Sequence, residues 1–575
     1  MKNIVIVSML SLLAPLAFAG EIENLWPDGK MPDAQDHQTA LPTTKLDDAS
    51  FRAGERHLPY LEWCDAPAGS NRTDICMILI SGGGYNNWCD VGLVDDWESK
   101  FTAMGVQCVK LVYRTPRPRG LPVYQSAWED GQRAVRLVRS EAAKRGFDPE
   151  KIGAMSMSAG SHLALLLAVS SQTPAYAPVD ELDNVSCHLN WALPNAIAYA
   201  LTDGIGCPNT TQGNGPDVKL DDIFKFDDKT CPMAMTHGGE DPYSPIASTF
   251  VYRRLREKGV PAEVHLYPDR GHGAFGFDRH VEFMRQLGCF GPVGPEVELR
   301  TRYADDDARA SYEKQDVWPE GKIPCAQTNQ CAPFIEWHLP KTLKSKSVVI
   351  IYSGGSYVWN STDSSEVAPA RRMLNAQGVA VVTLQYRVPP TEGKPKHLAA
   401  WQDLQRAIRL VRSQALSKGL DPNRIGIMGS SAGGHLTLMG VTSSTLTAYP
   451  PVDDIDRLPC NVQFAIAIYP AYALTDGADH ENSHGGNTDD DVLVPEFMFD
   501  AMTAPTLFIH GDADGWAAMN SVKCWEQMRR MGVQGEVHTL ATRVHCFHRN
   551  ASPGTGSYTY LDRILEFLAD KGFIR

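Results

Sequence analysis

Two serines stand where a chain could expose and activate a hydroxyl. Ser431 lies in Gly429-Ser430-Ser431-Ala432-Gly433, and Ser158 in Ser156-Met157-Ser158-Ala159-Gly160. A serine hydroxyl is a weak nucleophile at neutral pH, so it needs a base and a sharp strand-to-helix turn, and small neighbours are what such a turn tolerates. The first segment departs from the Gly-x-Ser-x-Gly pattern, with Ser156 in place of the leading glycine. Attack on an acyl carbonyl builds negative charge on its oxygen, which backbone N–H groups must already face. The turns Ser81-Gly82-Gly83-Gly84-Tyr85 and Ser353-Gly354-Gly355-Ser356-Tyr357 fit that need, because glycine lets the backbone approach a substrate. Gly83, Gly84, Gly355 and Ser356 are the candidate donors, joined by Ala159 and Ala432 directly after each serine.

An acid and a base should follow in chain order. Asp241, in His237-Gly238-Gly239-Glu240-Asp241, and Asp514, in His510-Gly511-Asp512-Ala513-Asp514, lie at the ends of later strands. Glu240 and Asp512 do not recur at the partner position, and Asp203 and Asp476 recur only within Thr-Asp-Gly segments that read as turns. His237 and His510 read as turn-shaping residues. His272 and His545 follow the next strand and complete the order; glycines flank the first, Val544 and Cys546 the second. In this arrangement histidine takes the serine proton and aspartate orients the imidazole. Tyr85, Trp88, Tyr357 and Trp359 follow the glycine turns closely enough to line a sugar or aryl subsite, with core packing the alternative for the two tryptophans. Arg270 and Arg543 precede the base and could meet a substrate carboxylate or form surface ion pairs.

Each feature occurs twice. Ser158 and Ser431, Asp241 and Asp514, and His272 and His545 are all 273 residues apart, as are Tyr113-Arg114 and Tyr386-Arg387, Trp128 and Trp401, and Cys187 and Cys460. The segment Trp26-Pro27-Asp28-Gly29-Lys30 returns as Trp318-Pro319-Glu320-Gly321-Lys322. Such constancy implies duplication of a whole domain, with copies over 20–295 and 312–575. The boundary falls near 291–311, where Gly291-Pro292-Val293-Gly294-Pro295 closes the first copy and the acidic Asp305-Asp306-Asp307 reads as a solvated linker rather than a calcium site. β-rich runs at 75–80, 106–113, 152–157, 233–237 and 263–267 alternate with amphipathic segments, and recur at 348–352, 379–386, 425–429, 506–510 and 536–540. That alternation predicts an α/β class, each copy a doubly wound, mostly parallel sheet. One helix is predicted over 128–144, stopping at Gly146.

At 575 residues the chain exceeds one ordinary domain, and its 43% hydrophobic and 21% charged content is that of a globular protein. A net charge of -14, with no basic run interleaved with aromatics, argues against nucleic acid. Residues 1–19, with Lys2, the apolar stretch Ile4 to Leu16 and Ala17-Phe18-Ala19 before Gly20, read as a secretory signal peptide; a membrane anchor is the disfavoured alternative, because the apolar stretch is shorter than the roughly 20 residues of a span. The expected location is secreted or periplasmic, with no stable membrane insertion once the signal is removed. Thirteen cysteines in an exported chain make disulfides plausible, Cys325 with Cys331 the nearest pair, while the absence of Cys-x-x-Cys speaks against a thiolate zinc site.

With these residues in place the chain resembles the α/β-hydrolase superfamily, and within it the secreted acetyl xylan and feruloyl esterase-like enzymes. The Trp-Pro-Asp/Glu-Gly-Lys entry, the glycine turn and the Ser-Ala-Gly elbow carry the resemblance, which covers nearly all of both copies. It implies two tandem α/β-hydrolase domains, a serine nucleophile, an acyl-enzyme, a carbohydrate ester substrate, and neither metal nor organic cofactor. Ser156, and the Ser81 and Ser353 that open the turns where the family has histidine, are departures. A serine peptidase of the prolyl oligopeptidase type shares the fold and triad order, but alanine follows each nucleophile where that family usually has tyrosine, and the length leaves no room for a propeller. A glycan-binding protein with an inactive copy would be marked by loss of a triad residue, and neither copy shows one.

Overall fold

The computed structural model describes residues 20–34, 58–64, 66, 71–89, 91–202, 218–295, 311–475, 492–549 and 551–574. The segment read as a signal peptide, the acidic linker run, and Asp203 and Asp476 lie outside them.

The first half contributes strands β1 (Glu21–Asn24), β2 (Tyr60–Cys64), β3 (Cys76–Ile80), β4 (Gln107–Val112), β5 (Ile152–Met157), β6 (Trp191–Asn195), β7 (Met233–Gly238) and β8 (Ala262–Tyr267), ordered β1-β2-β4-β3-β5-β6-β7-β8. The second contributes β9 (Ser311–Asp316), β10 (Phe334–Leu339), β11 (Val348–Tyr352), β12 (Ala380–Gln385), β13 (Ile425–Ser430), β14 (Phe464–Ile468), the short ribbon β15 (Leu474–Thr475) with β16 (Val492–Leu493), then β17 (Thr506–Gly511) and β18 (Gly535–Leu540). Its sheet order is β9-β10-β12-β11-β13-β14-β17-β18, the same succession. Two antiparallel strands edge each half, and the rest run parallel. Parallel neighbours need crossovers, which helices supply; one of them, Gln125–Arg145, ends on Gly146 at φ 78°, where glycine takes the left-handed conformation without a Cβ penalty. Each half is an α/β-hydrolase fold. Strand order reverses between β3 and β5, and between β11 and β13, so crevices open beyond the carboxyl ends of those strands. The glycine turns follow β3 and β11 and the serines follow β5 and β13, which puts the proposed chemistry at both crevices.

The repeated entry segment has a structural purpose. Trp26 Nε1 donates to Asp130 at 2.7 Å, and Asp130 also takes the Arg114 guanidinium at 2.9 Å, both groups fully buried. Trp318, Asp403 and Arg387 repeat this at 2.7 and 3.0 Å. A buried guanidinium is tolerated only when paired and hydrogen-bonded, which accounts for the recurrence of the whole set.

The two sheets are continuous, a feature that the repeat alone did not anticipate. β8 pairs with β18 antiparallel, with His265 opposite His538, giving sixteen strands in one sheet. The Nδ1 atoms of His265 and His538 lie 2.9 Å apart, and Glu263 and Glu536 lie 3.1 and 2.8 Å from the Nε2 of the neighbouring ring. Arg279 with Glu566 and Arg563 with Glu282 tie the halves across the same axis. The expected staple of Cys325 to Cys331 does not form. Cys331 Sγ instead faces the Tyr386 carbonyl at 3.4 Å, and the twelve described cysteines are free thiols. Among the described residues, no helix is long and apolar enough to cross a membrane.

Candidate active site

Each serine sits on the turn between its strand and the helix that follows. Ser158 has φ 58° and ψ -123°, and Ser431 φ 56° and ψ -120°, a conformation that costs about 1–3 kcal/mol and is held by its surroundings. Those surroundings demand small residues. A Cβ on Gly160 would lie 2.3 Å from the Ser81 carbonyl oxygen, and one on Gly433 2.6 Å from that of Ser353. The departure at Ser156 goes with different surroundings in the two halves. In the second half a Cβ on Gly429 would lie 2.5 Å from the Tyr352 ring and 2.4 Å from the Gly433 carbonyl oxygen, whereas Ser156 faces Ile80 across the β3–β5 register and hydrogen-bonds Ser161 at 3.1 Å.

The structure brings the chosen serine, histidine and aspartate together in both halves. His272 Nε2 lies 2.9 Å from Ser158 Oγ, and its Nδ1 lies 2.8 Å from Asp241 Oδ2. His545 repeats this at 2.8 Å to Ser431 and 2.7 Å to Asp514. With Nδ1–H donating to the carboxylate, Nε2 is left as the acceptor that a serine proton requires. Burial pushes the Asp241 carboxyl up, but hydrogen bonds from His237 and His272 outweigh it and hold the group well below the usual carboxylate range. Both serines are 7% exposed and both base imidazoles about a quarter exposed, so each relay opens to a substrate on one side.

His237 and His510 are fully buried within their turns, bonded to Ser248 and Ser521 through Nδ1 and to the carbonyls of Tyr243 and Trp516 through Nε2. Burial lowers His510 to about 4, which keeps it neutral and structural. Asp512 pairs with Arg256 of the other half at 3.0 Å, and Glu240 is exposed. Arg270 meets Asp570 at 3.8 Å on the surface, the ion-pair alternative of the two considered.

The glycine turns abut the nucleophiles. A Cβ on Gly82 would lie 2.9 Å from Ser158 Cβ, and one on Gly354 2.7 Å from Ser431 Cβ. Gly83, Gly84 and Tyr85 follow with φ of 118°, 60° and 61°; Gly355, Ser356 and Tyr357 have 101°, 55° and 60°. Ser356 thus occupies a left-handed position where the first half has glycine. The N–H groups of Ala159 and Ala432 open their helices and have no intrahelical acceptor.

The subsite reading needs correction. Tyr85 and Trp88 are 1% and 2% exposed, so neither lines an open sugar subsite; the Tyr85 hydroxyl is bound to His162 Nδ1 at 2.9 Å. Tyr357 is also buried, bound to His435 Nδ1 at 2.8 Å, and shows only one side to a cavity. Trp359 is 47% exposed, and its carbonyl sits over Gly355.

Sequence reasoning missed the residues that hold the turns. Tyr113 donates to the carbonyl oxygens of Ser81 and Gly82 at 3.0 and 3.2 Å, and Tyr386 to those of Ser353 and Gly354 at 3.0 Å each. Their recurrence with Arg114 and Arg387 was the available signal. In a Ser431→Ala background, Tyr113→Phe is expected to lower kcat on p-nitrophenyl acetate about tenfold with KM nearly unchanged, because a loosened turn weakens only donors that act on the developing oxyanion; steady-state kinetics checks the split. The halves also differ here. Glu366 Oε2 accepts from the Gly354 N–H at 2.6 Å, while Arg117 donates to the Gly84 carbonyl at 2.8 Å.

The BD-FAE family model matches residues 65–196 and 335–526, more than half of the chain and one segment in each half. The chain belongs to the BD-FAE family. It is 29% identical over 214 residues to endo-1,4-beta-xylanase B of Butyrivibrio fibrisolvens, covering 34% of this chain and 32% of that protein. It is also 29% identical over 143 residues to the acetylxylan esterase of Xylanibacter ruminicola, covering 25% of this chain and 26% of that protein. The match thus spans about a third or less of either relative. The crystal structure of an acetyl ester-xyloside bifunctional hydrolase from Caldicellulosiruptor lactoaceticus aligns with 45% of this chain and 90% of its own, at 23% identity and a TM-score of 0.33. In this BD-FAE member the family segments contain both serines and both glycine turns, and the second also contains Asp514.

Proposed function

We propose that the chain is a serine carboxylesterase that removes acetyl or feruloyl-type groups from plant or algal polysaccharide, acting in a secreted or periplasmic setting. The observation that carries the reading is the pair of complete relays, each with serine, imidazole and carboxylate within 3 Å of one another in sequence. His272 or His545 takes the hydroxyl proton as Ser158 or Ser431 attacks the ester carbonyl, and the glycine-turn N–H groups and that of Ala159 or Ala432 receive the oxyanion. The tetrahedral intermediate collapses, the imidazolium returns its proton to the departing sugar hydroxyl, and the acyl group stays on serine. Water, deprotonated by the same imidazole, then releases the carboxylic acid and restores the serine.

Xylan as the carrier is supported by the names of the two relatives, an acetylxylan esterase and a xylanase. The exported setting rests on residues 1–19. Acetate release from acetylated xylan, and ferulate release from feruloylated arabinoxylan, test the substrate. Release of one or both acids by the folded protein, lost in the Ser158→Ala/Ser431→Ala variant, is the expected result; release of neither overturns it.

A further inference from the structure

The second half carries a side-chain cluster that acyl transfer does not use. His397, His435 and Glu496 each present one ligand atom, and these atoms lie within 4.8 Å of one another. They come from three separate segments. His397 precedes the helix Leu398–Gln414, His435 lies one turn along the helix that begins after Ser431, and Glu496 follows β16. Together with Tyr357, Lys396 and Tyr472 they line a cavity of about 270 Å³.

The first half supplies a built-in comparison. At the positions 273 residues earlier stand Tyr124, His162 and Ile223. There the histidine is enclosed by the rings of Tyr124 and Phe224, each 5.2 Å away, and burial alone lowers it to about 3. The second half keeps the tyrosine-held histidine but turns two of its neighbours into an imidazole and a carboxylate.

The orientation of His435 is compatible with metal ligation and is shared with His162, whose Nδ1 lies 2.9 Å from the Tyr85 hydroxyl. The Nδ1 of His435 lies 2.8 Å from the Tyr357 hydroxyl, so Nδ1–H can donate outward while the Nε2 lone pair turns to the cavity, the arrangement in which an outer partner orients a ligating ring. Nε2 lies 4.0 Å from Glu496 Oε1, too far for a hydrogen bond. Ligands on a tetrahedral ion with bonds of about 2.0–2.1 Å are roughly 3.3–3.5 Å apart. Ligand atoms up to 4.8 Å apart would close by up to about 1.4 Å on such an ion, and His397 and Glu496 are the two that are only partly buried. Two imidazoles and one carboxylate suit zinc, cobalt or nickel better than calcium or magnesium, which take oxygen ligands. Lys396 is the opposing charge; its ammonium lies over the Tyr472 ring, 5.8 Å from the centroid.

We propose that the second half binds one divalent transition-metal ion of the zinc class through His397, His435 and Glu496, with a fourth position open to the cavity. The ion sits one helical turn from Ser431 and against Tyr357 of the glycine turn. It thereby holds the wall of that site and has no counterpart in the first half. An ion here departs from the expectation of no metal, which was drawn from cysteine spacing and from the resemblance.

The test uses the full chain without a histidine tag, stripped with a chelator and titrated with Zn²⁺ by calorimetry and with Co²⁺ by visible absorption. Expected are one ion per chain and not two, a tetrahedral Co²⁺ spectrum, and a rise in unfolding temperature with Zn²⁺. His397→Tyr and Glu496→Ile, which install the first half's residues, should weaken binding at least about 100-fold, and Glu496→Gln, nearly isosteric, should do the same in a protein of unchanged unfolding temperature without metal. Lys396→Ala should tighten binding. Failure of the wild type to bind Zn²⁺ saturably, binding that survives both His397→Tyr and Glu496→Gln, or equal affinity for Ca²⁺ would each overturn the proposal.

Discussion

Replacing both Ser158 and Ser431 with alanine is expected to lower kcat/KM for p-nitrophenyl acetate by about 100,000-fold or more, while each single variant keeps the turnover of the intact copy. The magnitude follows from what the hydroxyl does: without it there is no acyl-enzyme, and only the oxyanion donors and binding contribute. Additivity follows from geometry. The two relays agree within 0.1 Å at each hydrogen bond, and they belong to separate crevices, so neither serine depends on the other's base. An active-site titration makes the same statement without steady-state rates. A p-nitrophenyl phosphonate should release two equivalents of nitrophenol from the wild type, one from either single variant and none from the double. One equivalent from the wild type would mean that one half is accessory; the burst in the two single variants then identifies it. The second half is the one with added features, the Glu366 carboxylate on its glycine turn and Ser356 in a left-handed position. Burial raises Glu366, which favours its neutral form, so the carboxyl accepts from the Gly354 N–H without placing a full negative charge beside the oxyanion site.

How far the sequence reaches can be judged from particular strands. Runs such as Ile152–Met157 and Thr506–Gly511 were legible because each is a short apolar stretch ended by glycine or serine, repeated at a fixed spacing. β6 was not, because Trp191–Asn195 contains Pro194, a residue that lacks the N–H of a ladder and argues against a central strand. β14, Phe464–Ile468, is an unbroken apolar run that periodicity cannot separate from a buried helix. The edge pairs β1 with β2 and β9 with β10 are not joined by a tight hairpin turn, Asn24 pairing with Tyr60 and Asp316 with Phe334, so no turn signal marks them. The triad residues were legible because chain order and the 273-residue repeat constrained them together, and the structure assembles those same side chains. Tyr85 was misread as a subsite residue, and for Trp88 the core-packing alternative is the one that holds, because proximity along the chain does not reveal which way a turn sends its side chains. Pairing of β8 with β18 was invisible for a related reason, since each strand on its own reads as an ordinary sheet member.

Asp241→Asn in a Ser431→Ala background, and Asp514→Asn in a Ser158→Ala background, are expected to lower kcat by about 10,000-fold with little change in fold or KM. An asparagine can turn its amide N–H₂ toward His272 Nδ1, and the ring then carries its proton on Nε2, where it can no longer accept from Ser158. The first half adds a second contact. Asp241 Oδ2 lies 3.3 Å from His237 Nε2 as well as 2.8 Å from His272 Nδ1, and its Oδ1 accepts the Tyr243 N–H at 2.8 Å. In the second half the corresponding His510 is 3.8 Å from Asp514, so the two carboxylates are held unequally. Because the Asp241 carboxyl is held below its unfolded value of about 3.9, its contribution to stability is fully present above that pH and is lost as pH falls through the folded value. Asp241→Asn should therefore lower stability at neutral pH, where that contribution is fully present, and flatten the acid side of the unfolding curve below pH 4, where the wild type loses it. Rate and stability separate the two roles: a loss of turnover with an unchanged acid-unfolding profile would mean that Asp241 orients the base without being held ionised by it, and an unchanged rate would remove it from the relay altogether.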